Sequence, residues 1–353
     1  MIEVFANGKK FSNWTGVNIR RSLDNIAASF SLSLASSDQD AQTVGLFPGD
    51  SVEVSVNGEK AIKGYVDKLS TSFAAGSLDI RVSGSECSSD LADCCLESPL
   101  EWLKKDISAI LRDICARFGL NFTNSMKVDV GDAFDRFAVD PGSRAIDSIQ
   151  KLCRERGMLL CSDGLGNTRL MKPDACPRGD SLEQGVNLVS ASVDLSLTDR
   201  YSKYTVHGTG LAKKKVSAES DDASVSRPRT LVIVDSNAVD KDKVQARADW
   251  EKNVRAAKSM SVSATVHGWN CSSGLWSPGV MCSFKASKLG IPDAVDLLVN
   301  SVAFSWSASS GEVTNLELVS PEVYTPQPES KKKKLAKKKS RDPWDAIAKA
   351  VKG

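Results

Sequence analysis

Residues Gly45 to Gly84 read GLFPGDSVEVSVNGEKAIKGYVDKLSTSFAAGSLDIRVSG, and Gly274 to Pro321 read GLWSPGVMCSFKASKLGIPDAVDLLVNSVAFSWSASSGEVTNLELVSP, on the same plan. Each copy opens with Gly-Leu-aromatic and turns through Pro-Gly, Pro48-Gly49 in one and Pro278-Gly279 in the other. An extended segment follows, Val52 to Val56 or Val280 to Phe284. After a short insert come a second extended segment (Ile62 to Leu69, Leu297 to Trp306), a polar turn at Gly76 or Gly311, and a closing strand. Proline presets φ and glycine accepts positive φ, so Pro-Gly between alternating apolar and polar runs marks a strand connection. Two small antiparallel β modules, far apart in the chain and alike in plan, are the expected skeleton.

A chain of 353 residues has room for two or three domains at roughly 100 to 200 residues each. No apolar run approaches the ~20 residues of a membrane helix, so stable membrane insertion is not expected. The start, MIEVFANGKKF, lacks a charged head followed by an apolar run, which reads as a protein without a signal peptide, made in a cytosol. The nine cysteines are odd in number and form no Cys-x-x-Cys, a pattern of free thiols rather than of disulfides. With His207 and His267 the only histidines, a zinc site has little to draw on, and no metal or cofactor is expected.

Taken in order, the first 44 residues carry an Asn7-Gly8 hairpin signal, then VNIRRSL, then SFSLSLAS, in which Phe30, Leu32 and Leu34 alternate with serines at the strand period. With the first repeat they make a β domain over residues 1–96. At Ser98 the period changes to 3.6. Ser98 as N-cap, Pro99 as first helical residue and Glu101 three positions on predict a helix carrying Leu100, Leu103, Ile107, Ile110, Leu111, Ile114 and Phe118 to a stop at Gly119. A second helix is expected from Ser143 to Arg156, then a hairpin turning around Gly164 to Asn167, completing a small α+β domain over 97–185.

Strands resume at Leu188 with VSASVDLSL and YSKYTVHGTG. The polar stretch Ala212 to Arg229 predicts an exposed loop, LVIVD (Leu231 to Asp235) a buried strand, and Ala238 to Met260 a helix with Val239, Ala246, Trp250, Val254 and Ala257 roughly on one side. The second repeat closes a second β domain over 186–325. The fold class is mainly β with an α+β insert.

Charge is uneven. After Ser330, ten Lys and Arg stand against two Asp, so the tail carries +8 of a chain whose net charge is +2, and the body carries −6. Residues 326–353 read as a basic tether (Lys331, Lys332, Lys333, Lys334, Lys337, Lys338, Lys339) followed by a short amphipathic helix. Asp342 caps it, Pro343 takes its first position, and Trp344, Ile347, Ala348 and Val351 form its apolar stripe. A helix of about three turns is marginal alone in water, so this one is expected to fold on a partner surface. The lysines suit an acidic protein surface, a solvated linker or nucleic acid; with no aromatics interleaved, specific base recognition is not expected.

Motifs for chemistry are missing: there is no GxSxG, HExxH or P-loop. Asp90, Asp93 and Glu97 cluster in sequence, but acidic residues in a linker read as solvated rather than as a glycosidase pair. His207 and His267, each in a Val-His-Gly, have no nucleophile that the sequence points to and read as structural.

Several segments together resemble one family. WTGVNIRRSLDNIAASFSLSL (14–34), Ser83 to Cys95, Phe137 to Leu170, Asp199 to Gly210, RPRTLVIVD and the run from Ala248 to Gly279 stand in the order found in baseplate hub proteins of contractile phage tails of the Mu type, related to the hub domains of other phage tails and of type VI secretion spikes. The resemblance covers most of residues 1–325 and stops before the tail. It implies a homotrimer in which each chain gives two similar β-barrel domains, with the helical domain between or beside them. Three such chains present six lobes around a central channel, a ring able to adapt a hexameric tail tube to a trimeric spike. The implied partners are the tube protein, the central spike protein, other baseplate proteins and the tape measure protein. The implied place is the virion tail baseplate, assembled in the host cytoplasm. The alternatives are a cell-wall-degrading tail enzyme and a nucleic-acid-binding protein acting through the basic tail.

Overall fold

The computed structural model describes residues 2–328 apart from 12–13, 37–44, 75–76, 125–127, 210–214, 237 and 239. Two compact units emerge, Met1–Arg200 with Asn253–Gln327, and a second built around Tyr201–Lys252.

The first unit begins with seven strands: β1 (Ile2–Ala6), β2 (Lys9–Phe11), β3 (Gly16–Ser22), β4 (Ser29–Ser36), β5 (Ser51–Val56), β6 (Glu59–Ala74) and β7 (Ser77–Glu86). Asn-Gly pairs turn two of the hairpins, Asn7-Gly8 with φ of 49° and 73° and Asn57-Gly58 with φ of 50° and 86°, the left-handed pair that a two-residue hairpin demands. Pairing runs β3-β4-β7-β6-β5-β1-β2. Period-2 alternation puts Val17, Ile19, Phe30, Leu32, Val52, Val54 and Val82 in one core. The turn expected at Gly76 lies outside the described residues.

The α+β segment follows: α1 (Ser89–Asp93), β8 (Glu101–Lys105), α2 (Ile107–Arg117), β9 (Asn121–Thr123), β10 (Phe134–Ala138), α3 (Ala145–Arg156), β11 (Leu159–Ser162) and β12 (Asn167–Met171). Here the helix predicted from Ser98 is corrected. Residues Glu101–Lys105 are a strand paired antiparallel with Phe134–Ala138, Lys104 has φ of 51°, and Leu103 faces solvent. The helix starts eight residues beyond Ser98, at Asp106, whose carboxylate accepts from the Ala109 N–H at 2.7 Å. Its inward stripe, Ile107, Ile110, Leu111 and Ile114, packs with Ala145, Ile149 and Leu152 of α3. α3 ends at Gly157, left-handed at φ 64°, and the β11–β12 hairpin forms at the expected place.

After β13 (Leu182–Glu183) and β14 (Leu188–Leu195) the chain forms the second unit from β15 (Lys203–Thr209), β16 (Lys215–Asp221), β17 (Thr230–Asp235) and the start of α4 (Lys241–Lys258). Two expectations change. The presumed loop contains β16, whose Val216, Ala218 and Ser220 alternate inward; side chains this small gave no apolar signal. LVIVD is an edge strand, parallel to β15, with Leu231 and Ile233 half-buried and Val232 and Val234 exposed. On α4 the buried apolar residues are Val244, Ala248 and, as expected, Val254 and Ala257, while Ala246 is exposed, Trp250 is half-buried beneath the Arg247 guanidinium, and Val239 lies outside the described residues. Arg247 is itself enclosed between Asp235 and Glu251.

The chain then returns to the first unit: β18 (Met260–His267), β19 (Asn270–Cys271), β20 (Gly274–Leu275), β21 (Met281–Ala286), β22 (Ile291–Ser307) and β23 (Gly311–Val319). Pairing runs β14-β18-β23-β22-β21-β13. Strand for strand this is the first module's order, β3-β4-β7-β6-β5-β1. The outermost pair alone differs in direction: β1 is antiparallel to β5, β13 parallel to β21. The modules are joined by β22 and β3 into one sheet of thirteen strands.

Candidate assembly interface

The repeat extends to individual hydrogen bonds. In the first module the Gly49 N–H donates to the Val66 carbonyl (2.8 Å) and the Val66 N–H to the Asp50 carbonyl (2.9 Å). In the second the Gly279 N–H donates to the Val299 carbonyl (2.9 Å) and the Val299 N–H to the Val280 carbonyl (2.9 Å). Both clamps grip a bulge, between Val66 and Lys68 in β6 and between Val299 and Ser301 in β22. A bulge bends its strand and changes what lies alongside it. Up to Leu298, β22 runs beside β21; from Ser301 the same edge belongs to β3.

That joint is dense. Ser301↔Ser22, Phe304↔Ile19 and Ser307↔Gly16 fix its antiparallel register. Trp269 packs on Phe304 with ring centroids 5.2 Å apart and donates its indole N–H to the Ser305 carbonyl at 3.0 Å. Arg21 lies under the Phe304 ring, 5.7 Å from its centroid, and donates to the Ala61 carbonyl. Burial lowers the Arg21 pKa, opposed by the charges of Glu86 and Asp163. Glu86 is fully buried at the end of β7, and burial raises its pKa against the hydrogen bonds it accepts from Ser162, the Ala28 N–H (3.1 Å) and the Gly166 N–H (3.2 Å). Those donors come from the first module and from the β11–β12 hairpin, so one carboxylate ties the α+β segment to the β modules. A second tie joins Asp24, Asn300 and Tyr324: Asn300 donates to Asp24 at 2.9 Å, and the Tyr324 hydroxyl contacts both. Burial, and hydrogen bonding to the Asp24 carboxylate, push the Tyr324 pKa up.

None of the residues weighed for chemistry converges on a reactive cleft. Asp90, Asp93, Glu97, His207 and His267 are all exposed. Cys153, Cys161 and Cys282 are free thiols pushed up to about 12, chiefly by burial, far from nucleophilic. Among the described residues no three His, Cys, Asp or Glu stand together as a metal cluster. Trp344, Ile347, Ala348, Val351 and the lysines 331–334 and 337–339 lie outside the described residues. What sequence reasoning missed was the joint. Its signal was Arg21, a charge at an inward position of VNIRRSL.

Family models match three stretches: Mu phage baseplate assembly protein GpP-like, N-terminal (residues 1–86), baseplate hub protein gp44-like, second domain (88–172), and Mu phage baseplate assembly protein GpP, fourth domain (240–327). The baseplate hub protein gp44 of Escherichia phage Mu is 29% identical over 343 residues, 93% of this chain and 90% of the relative. The chain belongs to the Mu-type baseplate hub family. Among solved structures, the 43 kDa tail protein of prophage MuSo2 from Shewanella oneidensis superposes with a TM-score of 0.82 at 27% identity, over 93% of this chain and 99% of that one. A tail protein from Neisseria meningitidis shares the fold, with a TM-score of 0.74 at 18% identity over 92% and 98% of the two chains.

The relatives of this chain are structural tail components and not enzymes. The work of a Mu-type hub lies in its surfaces. Apolar side chains remain uncovered in the single chain, among them Phe73 near the end of β6 (90% exposed) and Leu195 at the end of β14 (77% exposed).

Proposed function

We propose that this chain is the central hub of a contractile phage tail baseplate, a homotrimer whose six β modules form a quasi-sixfold ring around a channel. Each module is then one barrel-like lobe, 1–96 and 186–325 supplying the two lobes of a chain and 97–185 the α+β domain beside them. A ring with sixfold appearance and threefold symmetry adapts a hexameric tail tube to a trimeric spike, with other baseplate proteins and the tape measure protein as further neighbours. The observation that carries this reading is the matched strand order of the two modules, down to the clamped bulge. Two equivalent lobes on one chain are what a threefold assembly needs to look sixfold. Assembly in the host cytoplasm and residence in the virion tail follow from the role.

The test is the mass and symmetry of the purified protein, by light scattering and image averages. A particle of ~114 kDa, three times 37.9 kDa, with six lobes is expected; a compact monomer in concentrated solution overturns it. The tail is proposed to dock on a neighbouring baseplate or spike protein, Trp344, Ile347, Ala348 and Val351 filling a groove while the lysines 331–334 and 337–339 face acidic surface. Trp344→Ala is expected to weaken that docking by about tenfold or more, as for a buried aromatic anchor. Removing 331–353 is expected to leave the trimer intact. Loss of DNA binding on that deletion, with docking unchanged, would assign the tail to nucleic acid instead.

A further inference from the structure

Within one chain, the stretch of β22 beyond its bulge is covered by β3; the equivalent stretch of β6, Lys68–Ala74, is paired on its β7 side alone among the described residues. The strand equivalent to β3 is β14, and its outer edge is likewise unpaired, since β14 is a terminal strand bonded to β18. The chain therefore contains one filled copy of a joint and the two separated halves of another. We infer that β14 of one copy pairs antiparallel with Lys68–Ala74 of β6 in a second copy, repeating between chains the β22–β3 joint within each chain. This rests on the hub reading and deepens it by naming the surface that closes the ring.

The internal joint also fixes the register. Matching β7 to β23 and β4 to β18 by their ladders makes Lys68 equivalent to Ser301, Phe73 to Trp306, Ala191 to Val17 and Asp194 to Arg20. Transferring the β22–β3 pairs then sets Leu69 opposite Leu195, Ser70 opposite Asp194, Ser72 opposite Ser192 and Phe73 opposite Ala191. On one face this covers Phe73 and Leu195, which a single chain leaves exposed. On the other it places Asp194 diagonal to Lys68, within the reach of a cross-strand ion pair. In the internal joint the residue equivalent to Asp194, Arg20, also forms an ion pair, reaching across β22 to Glu317 of β23 at 3.6 Å. Two exposed edges that would template aggregation thus satisfy each other. Because the two edges are different surfaces, the contact is head-to-tail, the type that closes into rings.

The experiment is cysteine pairing in the full chain. Ser72→Cys with Ser192→Cys, oxidised mildly, is expected to give disulfide-linked dimers and cyclic trimers above the background set by the native chain and by each single substitution. The off-register pair, Ser72→Cys with Ser196→Cys, separates the thiols by ~13 Å along the strand and is expected to stay at background. A native chain that is trimeric by mass while the in-register pair stays unlinked overturns this joint and leaves the ring reading standing. A native chain that stays monomeric when concentrated overturns the ring reading, and the joint falls with it.

Discussion

Glu86 shows how much of this protein's coherence rests on single side chains. It is fully buried, and it accepts hydrogen bonds from the first module and from the β11–β12 hairpin while its charge offsets that of buried Arg21. Glu86→Ala removes one of the two carboxylates that offset the buried Arg21 guanidinium and orphans several donors, so it is expected to cost about 3 to 5 kcal/mol in chemical denaturation. The pH dependence has a definite sign. Burial lifts the folded carboxyl above its ordinary 4.5, so this group's contribution is fully present below pH 4.5 and is lost as pH rises through the folded value. Glu86→Gln removes the titration; its melting temperature is expected to gain on that of the parent between pH 4.5 and neutrality, and a gap moving the other way would refute the assignment. The paired glycines of the clamps make a second contrast. Gly49 (φ 96°) has open space where a Cβ would sit, while a Cβ on Gly279 (φ 81°) would meet the Met171 sulfur at 2.5 Å. Gly49→Ala is expected to cost about 1 to 2 kcal/mol, the left-handed penalty alone. Gly279→Ala should cost visibly more in the same urea titration; equal losses would mean that Met171 moves aside freely.

Elements whose reason is local were legible in the sequence, and those whose reason lies elsewhere in the chain were not. The Asn7-Gly8 hairpin, the Pro-Gly clamps and the stop of α3 at Gly157 each rest on backbone conformations that a few residue types supply, so a short window shows them. The start of α2 misled because Ser98, Pro99 and Glu101 imitate a capping box, whereas β10, more than thirty residues on, takes Glu101–Lys105 as a strand. The competing cap, Asp106, decides where the helix begins. Asp106→Ala is expected to cost about 1 kcal/mol, the usual value of an N-cap carboxylate, whereas Ser98→Ala should leave the helix unaffected. Comparable losses at both positions would reinstate the earlier start. The β16 strand went unseen because Val216, Ala218 and Ser220 are too small to show an apolar period. The β22–β3 joint pairs residues about 280 apart and leaves no trace in any window; Arg21 alone, a charge on an inward face, marked its place.

At the scale of the whole molecule the proposed joint is directional, and direction can be tested by complementation. A chain with Phe73→Asp has a damaged β6 edge and an intact β14 edge; Leu195→Arg, which sets a charge opposite Leu69, gives the reverse. Both side chains are largely exposed in the single chain, so either variant is expected to fold normally. Each alone carries damage at every contact of a ring and is expected to be monomeric at 37.9 kDa. Mixed, they retain one undamaged contact, the β6 edge of the Leu195→Arg chain against the β14 edge of the Phe73→Asp chain. That contact produces a heterodimer of ~76 kDa, twice the chain mass, and stops there because the two remaining edges are both damaged. Light scattering of the separate variants and of their equimolar mixture reads this outcome. A two-fold interface, in which one patch meets itself, predicts the opposite: a variant altered outside that patch would dimerise alone, and mixing would add nothing. Because a closed ring gains from three contacts held at once, the open heterodimer should also dissociate at concentrations where the native ring persists.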